Sequence, residues 1–276
     1  MTSCQHVIIA YGEQLGYHHG AKYQILAGWE KIYKKNNIPI RIVTDKPELF
    51  SGYPVEIMTI SPVQKFDWSL NGIQHFGIKL KGLQWAMENQ QAEVALLLDT
   101  DTYWTAHPRV LIEQIKPNSA VMYCNESFVM KSSNKSISRF PEGLLFKKVQ
   151  TNIGVYELSS SSRMLNSSMI GLHRQNIDAL THAHDLFRAL EPMVNAHTVE
   201  QFSLSEIFRM KNYKVTFGRK LTRDWSSTGK KNYVTPLLGD FFSEYGENNF
   251  EKHLEKFAKI NIKRPVTVLL KQKLGF

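Results

Sequence analysis

The chain opens with a short apolar run, HVIIAYG at residues 6–12, that stops at a glycine, the pattern of a buried strand. The polar stretch GYHHG follows and reads as a turn. Over residues 21–35, Ile25, Trp29 and Ile32 recur at helical spacing with Leu26 and Tyr33 alongside, and the run ends in two lysines and two asparagines. IPIRIVTD (38–45) and PVEIMTI (54–60) predict two more strands, residues 66–71 a loop, and Phe76, Leu80, Leu83 and Met87 a second helix. VALLL (94–98) is apolar throughout, as expected of a strand covered on both faces. Beyond it the pattern predicts a short helix over 109–115, a strand over 119–124 and another, interrupted by polar residues, over 164–172. Helices are predicted over 176–190 and 199–211, a late strand over 214–218 and a helix over 248–260. Residues 127–162 are serine-rich with little periodicity, and a stretch of that kind reads as a functional loop or lid.

Strands alternating with helices make an α/β protein with a mixed, mostly parallel central sheet flanked by helices. A length of 276 residues suits one large domain, and neither an internal repeat nor a linker interrupts it. The hydrophobic fraction of 42% and the charged fraction of 21% are those of an ordinary globular protein. Two cysteines, Cys4 and Cys124, cannot make a disulfide framework or a zinc site, and read as free thiols in a reducing compartment. The first residues lack the basic and apolar regions of a secretory signal, and no apolar run reaches the length of a membrane span. A cytoplasmic location is therefore expected.

The net charge of +9 points to an anionic partner: a phosphorylated ligand, an anionic membrane face or nucleic acid. No nucleic-acid-binding motif or dense basic tract is present, so nucleic acid is set aside. The basic C-terminus, with Lys252, Lys256, Lys259, Lys263, Lys271 and Lys273 among apolar residues, suits peripheral contact with an anionic membrane, and a packed terminal helix with solvated charges is the plainer alternative.

The chemistry centres on Asp99 and Asp101, two carboxylates one residue apart at the end of the buried VALLL strand. Ligands of open α/β sheets bind outside the carboxyl ends of strands. Carboxylates near a core need a partner, and hard oxygen ligands suit Mg2+ or Mn2+, which also hold diphosphate oxygens. A solvated strand-end turn is the alternative for a bare Asp-x-Asp. Haloacid-dehalogenase-type phosphatases also place paired aspartates after a strand, but theirs lie near the N-terminus and are followed by Thr or Val where this chain has Tyr103. Polymerase-β-type nucleotidyltransferases need a Gly-Ser helix start ahead of the aspartates, and KLKGLQWAMENQQAE has none. The ten histidines show no metal spacing, and His18, His19, His182 and His184 are expected at the surface.

LLLDTDTYW, with the basic helix before it, resembles the DxD region of GT-A (Rossmann-like) glycosyltransferases, most of all the glycogenin-like and bacterial lipooligosaccharide or capsule enzymes. The resemblance follows element order over most of the chain. It implies a single GT-A domain over residues 1–276: a nucleotide-sugar half at 1–105, an acceptor half at 106–245, and a basic C-terminal helix and tail at 246–276. It implies transfer of a sugar from a nucleotide-diphosphate sugar, UDP by preference, to a hydroxyl of a glycan or lipid-linked acceptor, with Mn2+ or Mg2+ as cofactor. Ala10, Tyr11 and Asp45 would hold the nucleotide, and Lys79, in the helix before the aspartates, the donor. Asn166 and Ser167 match the family's Asn-Ser-Gly strand, with Ser168 where glycine is usual. Glu200 and Gln201 match an acidic-Gln helix start beside the reaction centre, as catalytic or sugar-binding groups. Thr198-Val199-Glu200-Gln201 also reads as a capping box. Asp224 stands where the family supplies a histidine as third metal ligand beside Asp99 and Asp101, and Lys230 and Lys231 would face the diphosphate. Glycogenin-like resemblance leans toward retention of configuration. The competing functions are a sugar-phosphate nucleotidyltransferase, for which AYGEQLGYHHG lacks the Gly-rich basic loop, and a catalytically inactive binding protein of the same fold.

Overall fold

A computed structural model of the chain describes residues 2–265; the remainder of the basic tail, including Lys271 and Lys273, lies outside the described residues. Strand β1 (Cys4–Ala10) is buried along six of its seven residues, as its apolar run requires. Helix α1 (Leu15–Gly28) follows and passes through a π-helical turn (Trp29–Tyr33) into α2 (Lys34–Asn36). The expected turn at GYHHG is thus the first turns of α1, and the helix starts six residues earlier than its periodicity suggests. Strands β2 (Ile40–Thr44) and β3 (Glu56–Thr59) come next, then α3 (Pro62–Trp68). Residues 66–68 therefore end a helix rather than begin a loop. A closed capping box starts it: Ser61 Oγ accepts from the Gln64 backbone, and Gln64 Oε1 accepts from the Ser61 backbone.

Helix α4 (Gly77–Glu88) leads to β4 (Val94–Leu98), buried at every position. Then come β5 (Thr102–Trp104), α5 (Arg109–Gln114) and β6 (Ser119–Phe128). The segment expected to be an unstructured lid is largely regular. It holds α6 (Lys135–Leu144) and the hairpin β7 (Lys148–Thr151)–β8 (Gly154–Glu157). Its few apolar residues help to order it: Ile137, Phe140, Leu144, Val149 and Tyr156 are all buried. Strand β9 (Arg163–His173), α7 (Asp178–Leu190), α8 (Val199–Met210) and β10 (Lys214–Phe217) match their sequence patterns. Strand β11 (Thr222–Asp224) and the 18-residue α9 (Thr228–Tyr245) are not among the expected elements, although the buried Val234, Leu238, Phe241, Phe242 and Tyr245 of α9 recur at helical spacing around Pro236; α10 (Phe250–Lys256) follows.

The main sheet has seven strands in the order β10-β6-β9-β4-β1-β2-β3. It is mixed and mostly parallel: β10 runs parallel to β6 and β2 to β3, while β6 and β9 are antiparallel. Out-of-sequence neighbours mean crossover connections, and the helices on those crossovers bury the sheet, as the all-apolar β4 anticipates. By density of contacts the chain forms two compact units that alternate along the sequence. One comprises residues 2–7, Ile60–Leu97 and Arg109–Lys220; the other comprises Ile8–Thr59, Leu98–Pro108 and the chain from Leu221 onward. In the first, α7 packs on α4 and α8, and α8 on β9. In the second, α1 packs on β5 and α9. No helix among the described residues is long and apolar enough to cross a membrane.

Candidate functional site

The Leu98-containing unit carries one group of the residues singled out from the sequence. Strands β4, β1 and β2 are neighbours in the sheet, and Asp99, Tyr11 and Asp45 each follow the last residue of one of them. Ala10 is fully buried at the end of β1. Gly12, two residues on, takes φ +93°, which only glycine adopts without strain, and its N–H points to both Asp45 carboxylate oxygens at 3.1 Å. Asp45 is thereby tied to the end of β1. His18 Nε2 lies 3.0 Å from the Gly12 carbonyl, and burial holds this imidazole below its ordinary value against the pull of that carbonyl.

Asp99 and Asp101 sit on a tight turn closed by the Thr102 N–H donating to the Asp99 carbonyl at 2.9 Å. Two elements lock it. From α1, Gln24 Nε2 donates to the Asp99 carbonyl at 3.0 Å and to the Thr102 carbonyl, and a Cβ on Gly20 would lie 2.3 Å from the Thr100 carbonyl oxygen. Only a residue without a side chain lets the helix approach this closely. From the other side, β11 pairs antiparallel with β5, placing Asp224 opposite Thr102, and the Trp225 N–H donates to the Asp101 carbonyl at 3.0 Å. Gly20 and Gln24 are positioning residues that the sequence reading passed over. Their signal was a glycine and an amide four residues apart on one helix face.

Lys231 Nζ stands 3.1 Å from Asp101 Oδ2. Asp224 Oδ1 accepts from Ser226 Oγ at 2.8 Å and lies 3.5 Å from Lys230 Nζ. The backbone thus brings Asp224 alongside Asp101, but no three His, Cys, Asp or Glu side chains among the described residues gather into a metal-binding group. The donor chemistry still fits Mg2+ or Mn2+ on Asp99 and Asp101, because such ions use one or two carboxylates and complete their shell with phosphate oxygens and water. A cavity of about 530 Å3, lined by Tyr17, Thr100, Asp101, Trp225, Lys231 and Thr235, adjoins the turn and has the size of a small-ligand pocket.

The other unit carries the second group. Ser167, on β9, donates from Oγ to Glu200 Oε1 at 2.9 Å, and its N–H donates to Gln201 Oε1 at 3.0 Å. Lys79 Nζ donates to Ser167 Oγ at 3.2 Å and lies 3.5 Å from Glu200 Oε1. Glu200 is almost wholly buried, and this ammonium and hydroxyl compensate it. Glu126, at the end of β6 and absent from the sequence reading, accepts from Asn166 Nδ2 at 2.7 Å and from Gln201 Nε2 at 3.4 Å. Lys79, Asn166, Ser167, Glu200 and Gln201 are therefore one hydrogen-bonded network. The capping box expected at Thr198 does not close: Thr198, at φ −102°, ψ 21° rather than the extended cap conformation, makes no side-chain cap, and the Gln201 amide turns to β9 and Glu126.

The histidines correct another expectation. His18, His19 and His184 are buried, since the first two lie inside α1 and the third on the packed face of α7; His182 is half-buried.

No protein-family model matches the sequence, and no curated protein matches it by sequence. Solved structures do resemble the fold. The galactosyltransferase LgtC, in complex with donor and acceptor sugar analogs, superposes with a TM-score of 0.54 at 8% identity, over 91% of this chain and 95% of that one. The apo bifunctional glycosyltransferase WbbM gives 0.49 at 14% identity over 79% of this chain, which spans 39% of WbbM. Mouse xyloside xylosyltransferase 1, also apo, gives 0.48 at 10% identity over 77% of this chain and 84% of its own. The likeness to LgtC establishes the fold: an α/β protein of the GT-A kind.

Proposed function

We propose that this chain is a metal-dependent glycosyltransferase. It moves a sugar from a nucleotide-diphosphate donor, with UDP as the nucleotide, to a hydroxyl of a glycan or glycolipid. The observation that carries this reading is the Asp99–Asp101 turn. It projects two carboxylates from the end of a buried strand, is locked by Gln24 and the backbone of Trp225, and has a lysine beside it. Rigid placement of hard oxygen ligands next to a cation is what binding a metal–diphosphate pair requires.

In this reading Asp99 and Asp101 hold Mn2+ or Mg2+, with Asp224 as the neighbouring third carboxylate. The ion, when bound, offsets negative charge developing on the leaving diphosphate. Lys230 and Lys231 add cationic charge for the same oxygens. Tyr11 and Asp45 take the base, and the Gly12 tether presets the Asp45 orientation. Lys79, Asn166 and Ser167 serve the donor, and Glu200 and Gln201 orient hydroxyls. Glu200 Oε1 is already engaged by Ser167 and Lys79, which favours an orienting role over proton abstraction. In the reaction the bond from the sugar's anomeric carbon to the diphosphate oxygen breaks and one to the acceptor oxygen forms. The nucleoside diphosphate leaves and the acceptor hydroxyl gives up its proton.

Calorimetric titration of UDP, GDP and CMP, each with Mn2+ and then with EDTA, tests this on the wild type and Asp101→Ala. UDP binding that requires Mn2+ and vanishes in the variant is the expected result. Absence of nucleotide binding under every condition would sink the assignment.

A further inference from the structure

The excursion between β6 and β9 presents one feature that the transferase reading does not use. Helix α6 is anchored: Ile137, Phe140 and Leu144 are buried, and Arg139 Nη1 donates to the Asn195 carbonyl at 2.6 Å. The hairpin beyond it is anchored too, through buried Tyr156, whose hydroxyl donates to Glu206 at 3.1 Å. Between these fixed points the chain turns once, at Leu144–Lys147, with the Lys147 N–H donating to the Leu144 carbonyl at 3.0 Å.

The dihedrals are those of a type II turn: Leu145 at φ −59°, ψ 131° and Phe146 at φ +62°. The third position of such a turn belongs to glycine or asparagine, since a bulky side chain there is strained. Phe146 occupies it and is 96% exposed, beside Leu145 at 39%. The large apolar side chains of α6 and β7 themselves are buried, so the pair does not belong to a poorly packed helix or strand, although Val155 on β8 is also exposed. A scattered surface hydrophobe needs no explanation, but a strained and adjacent pair on a rigid support does.

The charge around the pair identifies the occupant. Exposed Lys147 and Lys148 follow it directly. Residues 131–148 hold Lys131, Lys135, Arg139, Lys147 and Lys148 against Glu142 alone, a net of +4 (five positive, one negative). Lys148 also faces Glu157 across the hairpin at 3.3 Å. An aromatic–aliphatic tip followed by two exposed lysines, in a segment of net positive charge, matches the interface of an anionic bilayer, where apolar groups sink to the acyl boundary and lysines remain with the headgroups. We infer that the Leu145–Phe146 turn is a membrane-interface finger that seats this protein on anionic phospholipid. The inference is independent of the transferase assignment.

The full-length protein tests it by sedimentation with phosphatidylcholine vesicles and with vesicles that also contain phosphatidylglycerol. The wild type is expected to pellet with the anionic vesicles only. Phe146→Gly suits the turn conformation and stays folded, as thermal unfolding will verify, and its partition coefficient falls on the order of tenfold, the loss expected from one buried aromatic ring. Phe146→Trp retains binding, and its emission, after subtraction of the wild-type signal, shifts to the blue on anionic vesicles. Three results overturn the inference: a wild type that ignores anionic vesicles, a Phe146→Gly protein that partitions like the wild type, or a Phe146→Trp emission unchanged on vesicles that carry the protein down.

Discussion

Gly20 shows how much a single position can decide. In the sequence it ends GYHHG and reads as part of a turn, yet it sits inside α1 against the Thr100 carbonyl, where a Cβ would stand at 2.3 Å. Gly20→Ala must push the helix or the Asp99–Asp101 turn aside. The expected cost is about 1–3 kcal/mol of stability, the range for overpacking, with weaker metal-dependent nucleotide binding; chemical unfolding and calorimetry check the two parts. Lys231 makes the complementary case. Its ammonium balances Asp101 at 3.1 Å, so an incoming divalent cation must compete with it. Lys231→Met is therefore expected to bind Mn2+ alone a few-fold more tightly, and to bind UDP in the presence of Mn2+ more weakly. Equal metal affinity in variant and wild type would remove Lys231 from the site. The two aspartates were legible because a buried strand ending in carboxylates is a local pattern. Gly20 and Gln24 were not, because their role exists only once α1 lies on the turn.

At the scale of elements, two capping-box sequences part ways. Ser61-x-x-Gln64 closes its box, whereas Thr198-x-x-Gln201 leaves its own open. The local chemistry is the same, and what differs is the cap backbone, extended at Ser61 but not at Thr198, together with competition for the amide. Gln64 folds back onto its own helix end, while Gln201 is claimed by the Ser167 N–H and by Glu126. The excursion over 127–162 is decided in the same way. Its sequence is too polar to reveal a pattern, and a fully buried Glu206 on α8 orders it by accepting from Tyr156, Ser162 Oγ (2.8 Å) and Arg209 Nη2 (2.8 Å). Glu206→Gln removes the charge that these donors share. It is expected to cost about 3 kcal/mol, as for breaking a buried ion pair, read from the midpoint of denaturant unfolding. A cost near zero would mean that the hairpin is held by its apolar contacts alone.

At the scale of the whole chain, the last described elements return to the first helix. Lys22, fully buried in α1, donates to Glu247 Oε2 at 2.7 Å; His19 Nε2 lies 3.2 Å from Glu247; and the Tyr53 hydroxyl lies 2.8 Å from His253 Nδ1. Burial holds His19 and His253 below the ordinary histidine value. The folded state therefore takes up protons less readily than the unfolded state, and stability must decline as the pH falls through and below about 6.5. Burial pushes Glu247 up, but Lys22 and His19 outweigh it, and its carboxyl stays below the usual range. Its contribution is present above the unfolded carboxyl value and is lost at still lower pH, so both effects have the same sign. The melting temperature is expected to drop steadily on acidification from neutral pH. His253→Phe should melt lower at neutral pH, having orphaned the Tyr53 hydroxyl, yet show a shallower acid slope. An unchanged slope would place the acid sensitivity elsewhere.

What the sequence determined by itself was local and periodic: the strand–helix order, the all-apolar β4, the helices over α4, α7 and α8, and the carboxylates that end β4. These follow from side-chain spacing and from the cost of burying charge, which act within a few residues. Only the tertiary structure decided what depends on residues far apart in the chain. It tied Gly12 to Asp45, put Asp224 opposite Thr102, joined Lys79 and Ser167 to Glu200, and buried Lys22, His18 and His19. Strand β11 was illegible for the same reason, since three mostly polar residues are ordered by pairing with β5, whereas α9 does carry a helical pattern in Val234, Leu238, Phe241, Phe242 and Tyr245, interrupted by Pro236.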